Sequence, residues 1–218
     1  MSDFALARQH MIDGQLKPSE VVDSALLDAM AEIPRELFVP KARRSVAYVD
    51  EDLSLGDGRY LMEPMVFARL VQAARIRPDE AVLDIGCTTG YSTAVLARLA
   101  DAVVAVEEDA ALVKKAEAAL AKLEIVNAAV VEGALRDGVP GQGPYDVIFL
   151  GGAVSSVPDS LVRQLKEGGR LVTVLMDGGV GRAYMVTLQN GVAGGRELFD
   201  ANVPMLPGFE AEKKFVFE

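Results

Sequence analysis

A chain of 218 residues, half of them hydrophobic and a quarter charged, suits one globular domain with a sizeable core. Its net charge of −10 argues against a nucleic-acid partner, which needs a basic face, and Lys41-Ala42-Arg43-Arg44 is too short a basic run to reverse that. The single cysteine, Cys87, excludes intrachain disulfides and a multi-cysteine metal site. No apolar run approaches the roughly 18–20 residues that span a bilayer, and the N-terminus is amphipathic rather than signal-like. The expectation is a soluble, cytoplasmic protein without a membrane partner.

In chain order, residues 1 to about 48 read as helices with short breaks. Phe4, Leu6, Ala7, Met11 and Ile12 predict a helix that Gly14 interrupts, and the only histidine, His10, lies in it with a surface or interhelical role expected rather than a catalytic one. Asp23 is placed to cap a second helix carrying Leu26, Leu27, Met30 and Ile33. Val49–Glu63 is polar and glycine-containing and reads as a loop, in which Asp50 and Asp52 are either a solvated pair or a brace. Pro64 opens a helix to about Arg75.

Next, Ala81-Val82-Leu83-Asp84-Ile85 reads as a buried strand, Gly86-Cys87-Thr88-Thr89-Gly90 as a tight loop and Tyr91–Leu99 as a helix. Strand, glycine turn and helix N-terminus form the opening of a nucleotide-type cofactor site. Gly86 lets the backbone turn and approach a ligand, and Gly90 lets helix and strand pack. The following apolar run, Ala102–Val106, ends at Glu107, about 20 residues beyond Gly86, the offset at which an acidic side chain bonds a ribose hydroxyl. The spacing G-x-x-x-G is not the pyrophosphate fingerprint G-x-G-x-x-G, which argues against a nicotinamide oxidoreductase.

A helix over Asp109–Leu123, a strand over Ile125–Glu132 and a glycine-rich loop, Gly133–Gly143, follow. Tyr145–Leu150 is a nearly continuous apolar strand ending at Gly151-Gly152, a helix runs from Pro158 to Lys166, and Arg170–Leu175 is another buried strand. Strands alternating with helices predict an α/β parallel sheet covered on both faces. The tail predicts an antiparallel hairpin, Ala183–Leu188 and Arg196–Val203 about a turn at Gln189-Asn190-Gly191, and a closing strand at Phe215–Phe217.

The segment VLDIGCTTGY resembles motif I of S-adenosylmethionine-dependent methyltransferases. With Pro34–Pro40 (PRELFVP), Ala47-Tyr48-x-Asp50, Pro64, Val106-Glu107, Pro144–Ile148 and Gln164–Val172, the chain resembles the protein-L-isoaspartate O-methyltransferase family along nearly its whole length. The resemblance implies a Rossmann-like seven-stranded methyltransferase fold in one domain. Residues 1–63 would be a helical segment and active-site loop, 64–176 the cofactor-binding core, and 177–218 the C-terminal hairpin and closing strand.

The family also implies methyl transfer from S-adenosylmethionine to the carboxylate of isoaspartyl residues in damaged proteins. The site residues carried over are Tyr60, Met62 and Glu63 at the acceptor, and Asp84, Gly86, Cys87, Thr88, Gly90, Glu107, Glu132 and Ala134 around the cofactor, with no metal. Three departures accompany it. The family loop Q-T-I-S-x-P reads Arg59-Tyr60-Leu61-Met62-Glu63-Pro64, its G-T-G-S-G carries Thr88, and its G-D-G aligns with Gly133-Ala134-Leu135. They keep a rival open: a non-catalytic or substrate-shifted relative that binds a ligand or protein.

Overall fold

The computed structural model describes residues 4–211. Helix α1 (Phe4–Met11) is not interrupted at Gly14; the chain stays wound through a π-turn, Ile12–Leu16, because Met11, Ile12 and Leu16 are all buried. Helix α2 (Ser24–Glu32) begins as expected at Asp23, whose Oδ1 accepts the Leu26 N–H at 3.1 Å.

The stretch 49–63, expected as a loop, contains an antiparallel hairpin of β1 (Leu53–Gly56) and β2 (Arg59–Leu61). Leu53, Arg59 and Leu61 point inward while Tyr60 is exposed, a period of two too short, and too charged, to stand out in the sequence. Asp52 and Asp50 prove to be a brace: their Oδ1 atoms accept the N–H groups of Glu63 at 2.9 Å and Met65 at 3.1 Å. Two carboxylates therefore satisfy the start of helix α3 (Pro64–Ala74), where the helix dipole favours negative charge.

The core alternates β3 (Ala81–Ile85), α4 (Tyr91–Leu96), β4 (Ala102–Glu107), α5 (Ala110–Lys122), β5 (Ala128–Glu132), β6 (Tyr145–Val154), α6 (Asp159–Val162) and β7 (Leu165–Asp177). Several boundaries move. Helix α4 stops before Leu99, and β5 starts after Ile125, where Asn127 Nδ2 donates to the Ala97 carbonyl at 2.9 Å and holds the turn. Strand β6 runs on through Gly151-Gly152. The helix expected to reach Lys166 ends at Val162, because Gln164 is drawn out to accept from Val139 N at 3.0 Å and donate to Asp137 O at 2.8 Å. Strands β8 (Val180–Gln189) and β9 (Val192–Asp200) form the expected hairpin about Asn190-Gly191; Phe215–Phe217 lies outside the described residues.

The seven strands lie in the order β5-β4-β3-β6-β7-β8-β9, parallel up to β7 and antiparallel beyond it, which bears out the Rossmann-like α/β expectation. Alternation along the central strands divides the core. Val82, Val147 and Phe149 pack on one face with α3, α4 and the N-terminal segment, whereas Leu83, Ile148 and Leu150 pack on the other with Leu161, Leu206 and Phe209. The strand order reverses between β3 and β6, so the crevice beyond their C-terminal ends, flanked by Gly86 and Gly151-Gly152, is where such a sheet binds ligands.

The N-terminal segment is fastened beneath this crevice. Phe38, Tyr91, Phe67 and Phe149 form a chain of ring contacts with centroids 5.5, 5.7 and 5.5 Å apart. Arg35, wholly buried, donates to the carbonyls of Ala47 at 2.8 Å and Met62 at 2.7 Å and lies over the Tyr91 ring at 4.9 Å. Arg35→Ala leaves both carbonyls without a donor, each a loss of about 1–3 kcal/mol. Urea unfolding is expected to show a stability loss of about 3 kcal/mol, only partly recovered in Arg35→Lys, which lacks the planar fork.

Candidate cofactor site

The loop after β3 turns as the glycines require. Gly86 has φ +78°, and Gly90, with φ +91°, starts α4 where an added Cβ would stand 3.1 Å from Ala116 Cβ of α5. Thr88 also adopts positive φ, +52°, an uncommon conformation for a β-branched residue. Its N–H donates to Glu107 Oε2 at 2.9 Å, which ties the loop to the end of β4.

Asp84 is fully buried; its Oδ2 accepts the hydroxyls of Ser92 and Thr93, each at 2.7 Å, and its Oδ1 has no partner. Burial pushes its pKa up to about 6, against the pull of the two hydroxyls. Cys87 is buried too, with its thiol raised well above the ordinary value by burial, which disfavours a nucleophilic thiolate. Glu107 is 0% exposed, and burial raises its pKa against the pull of Arg59 and three backbone N–H groups.

Sequence reasoning missed Arg59. It is 4% exposed and donates through Nη2 to Glu107 Oε2 at 2.5 Å, while Nη1 lies 3.6 Å from Glu108 Oε1 and makes no hydrogen bond. The signal available was its position: it stands where the family loop carries glutamine. Leu135, at a family glycine position, is likewise buried, and its Cδ1 would lie 3.8 Å from a Cβ on Gly86. Leu206 is nearer, at 2.8 Å from such a Cβ, held there because residues 204–206 pair with Ala153.

The other expected residues are only partly gathered. Met62 is buried, its carbonyl held by Arg35, and it lines the crevice with the half-open Tyr60. Glu63 sits at the start of α3 and lines neither crevice cavity, and Glu132 and Ala134 are exposed. Among the described residues no cluster of three His, Cys, Asp or Glu side chains is placed to hold a metal, and no helix is long and apolar enough to cross a membrane.

Compared with known families, residues 6–191 match the one described as Protein-L-isoaspartate(D-aspartate) O-methyltransferase (PCMT). The chain belongs to this family. Among its relatives, a protein-L-isoaspartate O-methyltransferase of Koribacter versatilis is 38% identical over 191 residues, covering 88% of this chain and 86% of its own. One from Methylorubrum populi is 42% identical over 173 residues, 79% and 80% of the two chains. A solved protein-L-isoaspartate O-methyltransferase superposes with a TM-score of 0.82 at 30% identity, over 92% of this chain and 66% of that one. The fold is shared also with a putative Plasmodium falciparum enzyme solved with S-adenosyl-L-homocysteine, at a TM-score of 0.77 and 21% identity over 91% of this chain and 97% of that one.

Set against the cofactor that the motif I resemblance implies, the crevice fits in one respect and not in the rest. The orphaned Asp84 Oδ1 is a buried acceptor of the kind an ammonium would satisfy. Glu107, however, has no acceptor capacity left for a ribose: Oε2 takes Arg59 and Thr88, Oε1 takes the N–H groups of Glu108 and Asp109 at 2.9 and 3.2 Å, and a carboxylate offers about four such sites. The cavities left beside Gly151 are only about 10 and 20 Å³, against the roughly 300 Å³ or more of a small-molecule pocket. As arranged here, the seat is narrowed by Arg59, Leu135 and Leu206. A roomier groove of about 390 Å³ lies between the 35–46 segment and α5 and holds none of the expected site residues.

Glu63 gives the folding stability a pH dependence. Burial, then Asp52, Asp50 and Glu51, raise its pKa from 4.5 to about 7. The folded protein therefore keeps a proton that the unfolded chain releases, so this group's stabilising contribution is full below about pH 4.5 and is lost as pH rises to about 7. Glu63→Gln removes that slope. Urea unfolding should show the variant gaining on the wild type between pH 5 and pH 8.

Proposed function

We propose that the protein is an S-adenosylmethionine-dependent methyltransferase that esterifies the carboxylate of isoaspartyl residues in damaged proteins, acting in the cytoplasm. The observation that carries this is similarity of about 40% identity to protein-L-isoaspartate O-methyltransferases, together with a family match over residues 6–191 that takes in the N-terminal segment that Arg35 and Phe38 seat under the motif I loop. We assign residues 1–63 to the N-terminal helical segment and active-site loop, 64–176 to the cofactor-binding core and 177–218 to the C-terminal hairpin and closing strand.

An isoaspartyl carboxylate is ionised at neutral pH, so the acceptor needs no general base and the protein's task is alignment and exclusion of water. Tyr60 and Met62 are the acceptor-side residues of the crevice in this reading; Met62 brings no donor where the family has serine. Glu63, its pKa raised by burial and by the neighbouring carboxylates, carries less negative charge beside the acceptor loop than an ordinary glutamate. Asp84 and Glu107 are the two carboxylates assigned to the cofactor, with Gly86, Cys87, Thr88 and Gly90 supplying the backbone turn.

One observation favours a second reading, a non-catalytic relative: the crevice is filled by Arg59, Leu135 and Leu206. Methyl transfer from labelled S-adenosylmethionine to an isoaspartyl peptide decides between them. Incorporation into that peptide, and none into its aspartyl isomer, is the expected result; none into either by the folded protein at millimolar cofactor favours the second reading.

A further inference from the structure

The filled crevice has a specific author. Of the side chains closing it, Leu206 and Leu135 are apolar walls, whereas Arg59 engages the carboxylate assigned to ribose. Its Nη2 hydrogen-bonds Glu107 Oε2 at 2.5 Å and would lie 3.4 Å from a Cβ on Gly86, so the guanidinium reaches the glycine turn itself. We infer that Arg59 is an internal occupant of the cofactor seat, which opens to an adenosyl ligand only when hairpin β1–β2 withdraws the guanidinium from Glu107. This rests on the cofactor reading above.

Three features make Arg59 a displaceable occupant rather than a fixed strut. First, it rides on a two-stranded sheet separate from the seven-stranded one, and such a hairpin is marginal by itself. Second, its tip, Gly56-Asp57-Gly58, is exposed, and a Cβ added at either glycine would meet nothing within 4 Å, so the hairpin is held by the packing of Leu53 and Leu61 and not by its turn. Third, the buried guanidinium is incompletely satisfied: Nη1 has no hydrogen-bond partner, so withdrawal into water returns a solvation the closed state denies it. Glu107 is the opposing constraint. Without Arg59 it would be a buried carboxylate held by three backbone N–H groups and no cation, so Arg59 leaves more readily as another donor arrives. A ribose hydroxyl brings one donor to the Oε2 site that Arg59 vacates.

The exchange makes apparent affinity the intrinsic affinity reduced by the open fraction. A glutamine at position 59 lacks the charge that binds Glu107 and the reach to fill the turn. Calorimetric titration with S-adenosylhomocysteine is therefore expected to give at least tenfold tighter binding (about 1.4 kcal/mol) for Arg59→Gln than for wild type. Arg59→Lys, which keeps a cation facing Glu107, should stay closer to wild type. Leu61→Ala leaves Arg59 intact but loosens the hairpin, and should move affinity in the same direction as Arg59→Gln, which keeps the test available should that variant fold poorly. A purely structural arginine predicts the opposite sign, with lower thermal stability and weaker or unchanged binding. Micromolar wild-type binding that neither variant improves overturns the lock and leaves the methyltransferase assignment standing. No binding by any of the folded proteins overturns both.

Discussion

The ion pair between Arg59 and Glu107 is the constraint around which the ligand end of the sheet is arranged. Both side chains are removed from water, where a single charge is costly and even a pair is close to break-even. The surrounding backbone reduces that penalty: N–H groups of Thr88, Glu108 and Asp109 converge on the same carboxylate. The motif I loop, the end of β4 and the hairpin are thereby bound to one atom group, and the strained conformation of Thr88 is held by its bond to it.

At the opposite end of the sheet a second arginine does comparable work without closing anything. Arg170 forks onto Glu80, with Nη1 and Nη2 each 2.6 Å from a carboxylate oxygen, and also donates to the Ala74 and Arg75 carbonyls. This pair joins β7 to the end of α3 and the start of β3 and has the bidentate geometry of a structural clamp. Arg59 uses only one nitrogen on Glu107. The contrast separates an arginine whose donors are largely matched from one that is left short of a partner.

Much of the α/β core was legible because its strands are near-continuous apolar runs and its helices carry 3.6-residue spacing, as in Ala81–Ile85 and Pro64–Ala74. Glu107 was findable from its offset, and Asp23 as a cap from its place before an apolar repeat. What escaped was short-range or long-range in a way one dimension hides. Strand β2 spans Arg59–Leu61, below the length at which alternation registers, and its inward arginine mimics a solvated turn. Leu135 read as part of a glycine-rich loop, and Leu206 as part of the tail; only the pairing of residues 204–206 with Ala153 carries the latter into the crevice. The ends of α4 and α6 were misjudged because Asn127 and Gln164, polar residues with no periodic signal, redirect the chain by bonding distant carbonyls.

The pairing of β1 with β2 has a consequence for how the site is inherited. Leu53 faces Leu61 and Ser54 faces Tyr60, with an irregularity before Gly56 meets Arg59. Side chains on a strand alternate faces, so a slip of one residue would present the phenol of Tyr60 to Glu107 and send the guanidinium to solvent. A single insertion or deletion in the Gly56-Asp57-Gly58 tip, where space is open, is thus a larger chemical change than most substitutions in the crevice itself. The length of a surface turn, together with the buried Leu53–Leu61 pair, sets whether cation or phenol meets the buried carboxylate.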